Sequence, residues 1–361
     1  MKRFHIVITG GHHNSALVVA QELVKLGHKV TWIGHRQAAS GDTHDSAEYV
    51  EVTAANLPFY NLRAGKLNLH SGLAGLIKFP LGLIQSSQLL SNLNPDAVLS
   101  FGGYLGLTVA LTARARSIPV FLHEQTVIAG KANKLTANFA RRIYLTWESS
   151  RKFFSAQDVQ VVGLPLRASI LNPQKTKLFK NSLPTILVLG GKQGSHIINK
   201  LVLRNLESLL AKYNIIHQLG TSSVTGDYQM ALSKKDSLPE EIAARYQPEG
   251  YIGESEIGSL LASCDLYMGR SGAHITYELG MLRVRSVLIP FRHTHGNEQV
   301  KNAKYLAQSG LATILPQSKL TLSSVVEAIT KSLSDPSPDP LPLPHDATTL
   351  LVEDLLNALT L

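Results

Sequence analysis

The chain has 361 residues, 44% hydrophobic and 17% charged, with a single cysteine, Cys264; this supplies two ordinary cores and excludes a disulfide framework or a cysteine-rich metal site. Of the net charge of +9, a balance of +8 falls between Tyr60 and Lys152, where eleven Lys or Arg face three acidic residues; without a reading motif or interleaved aromatics this argues for an anionic lipid surface and against nucleic acid. No run of 18 apolar residues offers a membrane span, and Met1-Lys2-Arg3 leads into a strand, so a cytoplasmic protein is expected.

In chain order, a strand is predicted over 4–9, then an amphipathic helix near 15–27 that stops at Gly27, and a strand over 29–34. A polar, irregular stretch follows from 36 to 60. Next come a strand at 97–101, a helix from about 104 to 116, a strand at 119–122, a helix near 130–140 and short strands at 143–145 and 159–162. Alternation of this kind predicts a parallel sheet covered by helices on both faces. Gly163-Leu164-Pro165 breaks the pattern, and the polar run 172–184 reads as a hinge region.

The second half repeats the alternation, with strands near 185–189, 214–218, 249–252, 265–269 and 286–289. A Pro-rich extended spacer covers 334–344, and the apolar-periodic run 347–360 predicts a helix that packs back on one of the domains. The expected fold class is α/β, with two Rossmann-like domains facing each other across a cleft. Residues 1–163 with the helix at 345–361 form the first domain, and 164–344 the second.

Both halves open with a strand that ends in glycines before a helix: Thr9-Gly10-Gly11-His12-His13 and Gly190-Gly191-Lys192-Gln193-Gly194. Such turns let backbone N–H groups approach a phosphate at the positive end of a helix. The first lacks the third spaced glycine of a dinucleotide fingerprint. His12 follows it directly, where an acid–base group is useful, although a water-exposed helix-start histidine fits the same pattern. His123-Glu124-Gln125-Thr126 puts four polar residues straight after a buried strand.

In the second half, Gly269-Arg270-Ser271-Gly272-Ala273-His274 follows a strand and can start a helix whose N–H groups receive a diphosphate. Glu278 lies about a turn and a half along it, suited to two ribose hydroxyls or, more plainly, to solvent. Arg167 in the hinge could reach a phosphate or sit on the surface. Asn297, Glu298 and Gln299 follow the next strand, a usual place for sugar-hydroxyl partners. His293 and His295 with Glu298 lack regular ligand spacing, and no Asp-x-Asp pair occurs, so neither metal nor cofactor is expected.

Taken together and in order, these segments resemble the MurG family of glycosyltransferase family 28, over essentially the whole chain. Thr9-Gly10-Gly11-His12, Phe101-Gly102-Gly103-Tyr104 and His123-Glu124-Gln125 carry the likeness in the first half; Gly190 to Gly194, Arg270 to Glu278, and Asn297-Glu298-Gln299 carry it in the second. The resemblance implies a GT-B fold and inverting transfer of N-acetylglucosamine from UDP-N-acetylglucosamine to an undecaprenyl-diphosphate-linked muramyl-pentapeptide, at the cytoplasmic face of the cell membrane. It implies substrate contacts at Thr9, Gly10, Gly11, Thr126, Lys192, Ala273 and His274, with Arg167 on the diphosphate, Glu278 on the ribose, Gln299 on the sugar and a backbone group of Ile252 on uracil. His12 is the candidate catalytic base, with His123, His13 and Glu124 as alternatives.

The chain departs from the family pattern at Val7-Ile8, where two glycines are usual, and at Asn14-Ser15-Ala16 in place of Phe-Pro-Gly. Thr126 replaces Asn, Lys192 replaces Ser, and His274-Ile275 replaces Leu-Thr. Transfer to another lipid, a UDP-N-acetylglucosamine 2-epimerase-like activity and a non-catalytic nucleotide-sugar-binding role stay open as alternatives. The apolar stretch 73–84, flanked by Arg63, Lys66 and Lys78, is expected to lie among anionic lipid headgroups or to be a buried helix.

Overall fold

A strand covered on both faces needs an apolar residue at nearly every position. Ile6-Val7-Ile8 and Ile186-Leu187-Val188 meet that demand at the head of each half, and all six are buried. The structure, a computed structural model, describes residues 2–37, 45–63, 72–154, 158–191, 193–220, 222, 224–292, 295–336 and 341–360, without the side chains of 72–78 and 295. It divides into two units, Met1–Leu166 with Pro344–Leu361, and Arg167–Leu343. Each unit is Rossmann-like, an α/β unit on one parallel sheet among the described residues.

The first unit contains β1 (His5–Thr9), β2 (Lys29–Gly34), β3 (Phe59–Asn61), β4 (Ala97–Ser100), β5 (Val120–Glu124), β6 (Arg142–Leu145) and β7 (Val159–Val161). Their order in the sheet is β3-β2-β1-β4-β5-β6-β7. The chain winds outward from β1 through β2 and β3, then returns to set β4 against the other side of β1. Strand residues alternate between two cores. Ile6, Ile8, Leu99 and Phe121 face one; Val7, Val98 and Val120 face the other, with Leu105 and Val109 of the helix Gly103–Ala115.

The helix Ala347–Thr360 covers the first of these cores with Leu351, Val352, Leu355 and Ala358. It is also clamped by polar bonds. Asp354 accepts from Arg142 Nη1 at 2.6 Å, Tyr144 OH at 2.9 Å and Gln160 Nε2 at 2.8 Å. Of the stretch 36–60, residues 38–44 lie outside the described residues, and the rest is less irregular than expected. Ser46 caps a helix at Ala47–Ala54 by accepting from Tyr49 N at 3.1 Å, and β3 follows as the sheet's edge. The apolar stretch 73–84 falls inside the helix Gly72–Leu93.

The second unit contains β8 (Thr185–Leu189), β9 (Asn214–Gln218), β10 (Tyr246–Glu249), β11 (Leu266–Gly269), β12 (Ser286–Leu288) and β13 (Ala312–Ile314), ordered β10-β9-β8-β11-β12-β13. Here the reversal lies between β8 and β11. The strand expected at 249–252 begins earlier, at Tyr246, and includes Pro248. A proline is tolerated there because β10 is an edge strand with only β9 beside it.

Candidate functional site

In open parallel sheets, loops at the carboxyl ends of the two strands flanking the reversal are pulled apart and form a binding crevice. In the first unit those loops follow β1 and β4, and they interlock. Phe101 N donates to Thr9 O at 2.7 Å, and Gly11 N to Gly102 O at 3.0 Å. Gly10 has φ of 131°, and a Cβ there would lie 2.6 Å from the Phe101 backbone, so this approach requires glycine.

His12 immediately precedes the helix His13–Lys25, and its Nδ1 lies 3.0 Å from Phe101 O. A carbonyl can only accept, so Nδ1 carries the hydrogen and the neutral ring keeps its lone pair on Nε2. His13 pairs with Glu51 at 2.9 Å. Thr9, Gly10, Gly11 and His12 are thus brought together with the Phe101–Gly102–Gly103 turn.

The residues ending β5 are placed differently. His123 is fully buried against the Phe101 ring, with Nε2 3.2 Å from Gly163 O. Burial lowers its pKa to about 4, with His12 acting in the same direction, so the ring is neutral near pH 7. Glu124 is 1% exposed. One of its oxygens accepts from Thr126 N and Thr126 Oγ1 at 2.9 and 2.8 Å, the other from Gly130 N and Asn133 Nδ2 at 3.1 and 2.8 Å. Glu124 and Thr126 together staple the loop that follows β5.

In the second unit the reversal brings the loop after β8 beside the loop after β11. Gly194 has φ of 78°, and a Cβ there would run into Leu219 O. Arg270 joins the two loops: Nη2 donates to Ser195 Oγ at 2.8 Å, and Nη1 donates to Ile289 O and Gln317 Oε1 at 2.9 and 3.0 Å. The helix Ala273–Leu282 starts directly after Gly272, with no acidic residue in its first turn, so Ala273 and His274 sit at its electropositive end. Ser271 Oγ donates to Gln299 O at 2.8 Å, and Gln299 Oε1 accepts from Phe291 N at 2.9 Å.

Arg167 and Glu278 are 111 positions apart in sequence, yet Arg167 Nη2 donates to Glu278 Oε1 at 3.0 Å. Arg167 Nη1 lies 3.0 Å from Glu254 Oε1. Burial opposes the charge on Arg167, but the two carboxylates outweigh it and raise its pKa. Sequence reasoning missed Glu254 and Gln218, and gave Arg270 no role of its own within its motif. Gln218 Nε2 donates to Gly191 O at 2.9 Å, and its Oε1 accepts from Ile252 N at 2.9 Å. A polar residue closing the buried run Ile215-Ile216-His217 was the available signal. Lys192 and His293, and the side chain of His295, lie outside the described residues.

Residues 6–145 match the glycosyltransferase family 28 N-terminal domain and residues 185–347 the family's C-terminal domain. A UDP-N-acetylglucosamine–N-acetylmuramyl-(pentapeptide) pyrophosphoryl-undecaprenol N-acetylglucosamine transferase from Clostridium botulinum is 30% identical over 323 residues, covering 86% of this chain and 85% of the relative. The chain belongs to glycosyltransferase family 28. A Clostridium perfringens relative of the same name is 28% identical over 91% of this chain and 90% of its own. The family 28 fold is matched by the crystal structure of Acinetobacter baumannii MurG, at a TM-score of 0.70 and 23% identity, covering 98% of this chain and 99% of that one. A Neisseria meningitidis UDP-GlcNAc 2-epimerase shares the fold at a TM-score of 0.68 and 15% identity, covering 98% and 99%.

Proposed function

We propose that this family 28 chain transfers N-acetylglucosamine from UDP-N-acetylglucosamine to the 4-hydroxyl of an undecaprenyl-diphosphate-linked muramyl-pentapeptide, with inversion, in peptidoglycan synthesis. The observation that carries the reading is the match, over about nine-tenths of both chains, to relatives named for this reaction. In the single displacement the acceptor oxygen forms a bond to the anomeric carbon as the bond to UDP breaks. The hydroxyl proton goes to His12 Nε2, the nitrogen left with a lone pair by the bond to Phe101 O. The charge growing on UDP is met by backbone N–H groups at the start of the helix Ala273–Leu282, by the Gly190–Gly191 turn and by Arg167. Glu278 takes the ribose hydroxyls and Gln299 the sugar. Ile252 reads uracil through its carbonyl, because its N–H is spent on Gln218.

Release of UDP by the purified chain is expected only when both UDP-N-acetylglucosamine and the lipid-diphosphate muramyl-pentapeptide are supplied. Release or epimerisation without acceptor would point to an epimerase-like activity, and release with a different lipid to another transferase.

No helix among the described residues is long and apolar enough to cross a membrane. We read the chain as peripheral on the cytoplasmic face of the membrane, meeting its acceptor through the helix Gly72–Leu93. The side chains of Leu76 and Lys78 lie outside the described residues, and Phe79 is half-buried. Further along the helix, Leu81 and Ile84 are 56% and 57% exposed, about one turn apart. Apolar exposure of this kind within the basic first unit suits an anionic headgroup layer. Salt-sensitive binding to phosphatidylglycerol vesicles is therefore expected, weakened by Leu81→Glu and Ile84→Glu without change in melting temperature. Absence of vesicle binding at low salt would rule this route out.

A further inference from the structure

We infer that Gln218 is the positioning residue that gives the donor site its preference for uracil, by fixing the backbone at Ile252 and joining it to the Gly190–Gly191 turn. The inference rests on the donor reading above and adds a residue to it. The register of the sheet explains why one amide can do both. Gln218 ends β9, paired with Leu189 at the end of β8 on one side and with Glu249 at the end of β10 on the other. The chain turns into Gly190–Gly191 immediately after Leu189 and reaches Ile252 three residues after Glu249. Gln218 therefore stands between the two loops, 5% exposed.

Its orientation is forced. Gly191 O can only accept and Ile252 N can only donate, so the amide nitrogen must face the glycine turn and the amide oxygen must face Ile252. The strand beneath is fixed by the neighbouring residue. His217 is fully buried, with Nε2 3.1 Å from Asn199 Oδ1 and Nδ1 3.2 Å from Tyr246 OH. On the far side of Ile252, Gly253 N lies 3.4 Å from Glu256 Oε2. Both peptide groups flanking Ile252 are thus held, which sets the direction of the Ile252 carbonyl.

A fixed carbonyl is a selective reader of pyrimidines. Uracil presents an N3–H donor to it, whereas cytosine presents an N3 lone pair, which the carbonyl repels. A carbonyl free to rotate loses that discrimination. The second bond of Gln218 couples the base-reading segment to the turn that meets the diphosphate, so the two halves of the nucleotide are bound against one rigid unit.

The test is calorimetric binding of UDP, CDP and uridine to the full chain, with donor and acceptor KM measured alongside. Gln218→Met keeps the side-chain volume and removes both hydrogen bonds. Gln218→Glu keeps an acceptor for Ile252 N–H and removes the donor to Gly191 O. In Gln218→Met, UDP affinity is expected to fall about tenfold, CDP affinity far less, and acceptor KM not at all, so that the UDP-to-CDP ratio drops. Gln218→Glu should hold that ratio near the wild-type value while binding UDP more weakly. A folded Gln218→Met protein with a wild-type UDP-to-CDP ratio overturns the inference, as does Gln218→Glu losing the ratio entirely; if the Met variant fails to fold, the Glu variant decides alone. A wild-type chain that does not bind UDP sinks the donor reading itself, a result distinct from either.

Discussion

Replacement of His12 by alanine is expected to lower kcat by about 10²–10⁴, the usual range for a general base, while the donor KM stays near its wild-type value. The other candidates are occupied elsewhere. His123 is fully buried with its pKa lowered to about 4, and both oxygens of Glu124 accept local hydrogen bonds. His13 pairs with Glu51, whereas the bond of His12 Nδ1 to Phe101 O leaves its lone pair on Nε2. Loss of that bond to Phe101 O could loosen the interlocked glycine loops, so His12→Asn is the companion variant. Asparagine can still donate to Phe101 O but has no titratable nitrogen. Both variants should fall together, and a His12→Asn enzyme with near wild-type kcat would pass the role to another group.

The second large effect concerns Arg167 and Glu278. Glu278→Ala is expected to raise the donor KM by roughly 10- to 100-fold, because a charged acceptor for the ribose hydroxyls is worth about 1.5–3 kcal/mol. Acceptor KM should not change. Arg167→Ala is predicted to be worse, for a reason visible only in the fold. It strips the shared cation from Glu278 and Glu254, whose side chains are 3% and 32% exposed. Breaking a buried pair from one side costs about 3–5 kcal/mol, and less here because Arg167 keeps 17% of its own exposure. The melting temperature of the chain should therefore drop, and UDP binding should weaken while uridine binding holds. Equal loss for uridine and UDP, with melting unchanged, would remove Arg167 from the diphosphate.

Much of this arrangement was legible in the residues. Buried parallel strands advertise themselves as unbroken apolar runs, and the glycine turns after β1 and β8 mark the strand ends beside each reversal. Short elements left weaker traces. The helix Ala47–Ala54 buries only Val52, and β13 has three residues, so neither carries enough periodicity to be seen. Pro248 argues against a strand until the edge position of β10 is known. The site was half-legible for a related reason. Motifs show which side chains arrive at a strand end, but not what they touch there. Arg167 and Glu278 were assigned separate ligand contacts, yet they pair with each other. Gln218 acquires meaning only once the segments 27 residues before and 34 after it are folded onto either side.

The threading of the chain through its two units also bears on how the protein is made. Arg167–Leu343 is one uninterrupted segment, whereas the other unit is assembled from Met1–Leu166 and Pro344–Leu361. During translation the segment from Arg167 onward can fold as soon as it emerges. The first unit must wait. Until the last helix leaves the ribosome, the hydrophobic face that receives Leu351, Val352 and Leu355 stays uncovered, and Arg142, Tyr144 and Gln160 have no Asp354 to bind. The unit begun first is completed last, so a nascent chain halted near Leu343 carries an open apolar surface of the kind that chaperones bind.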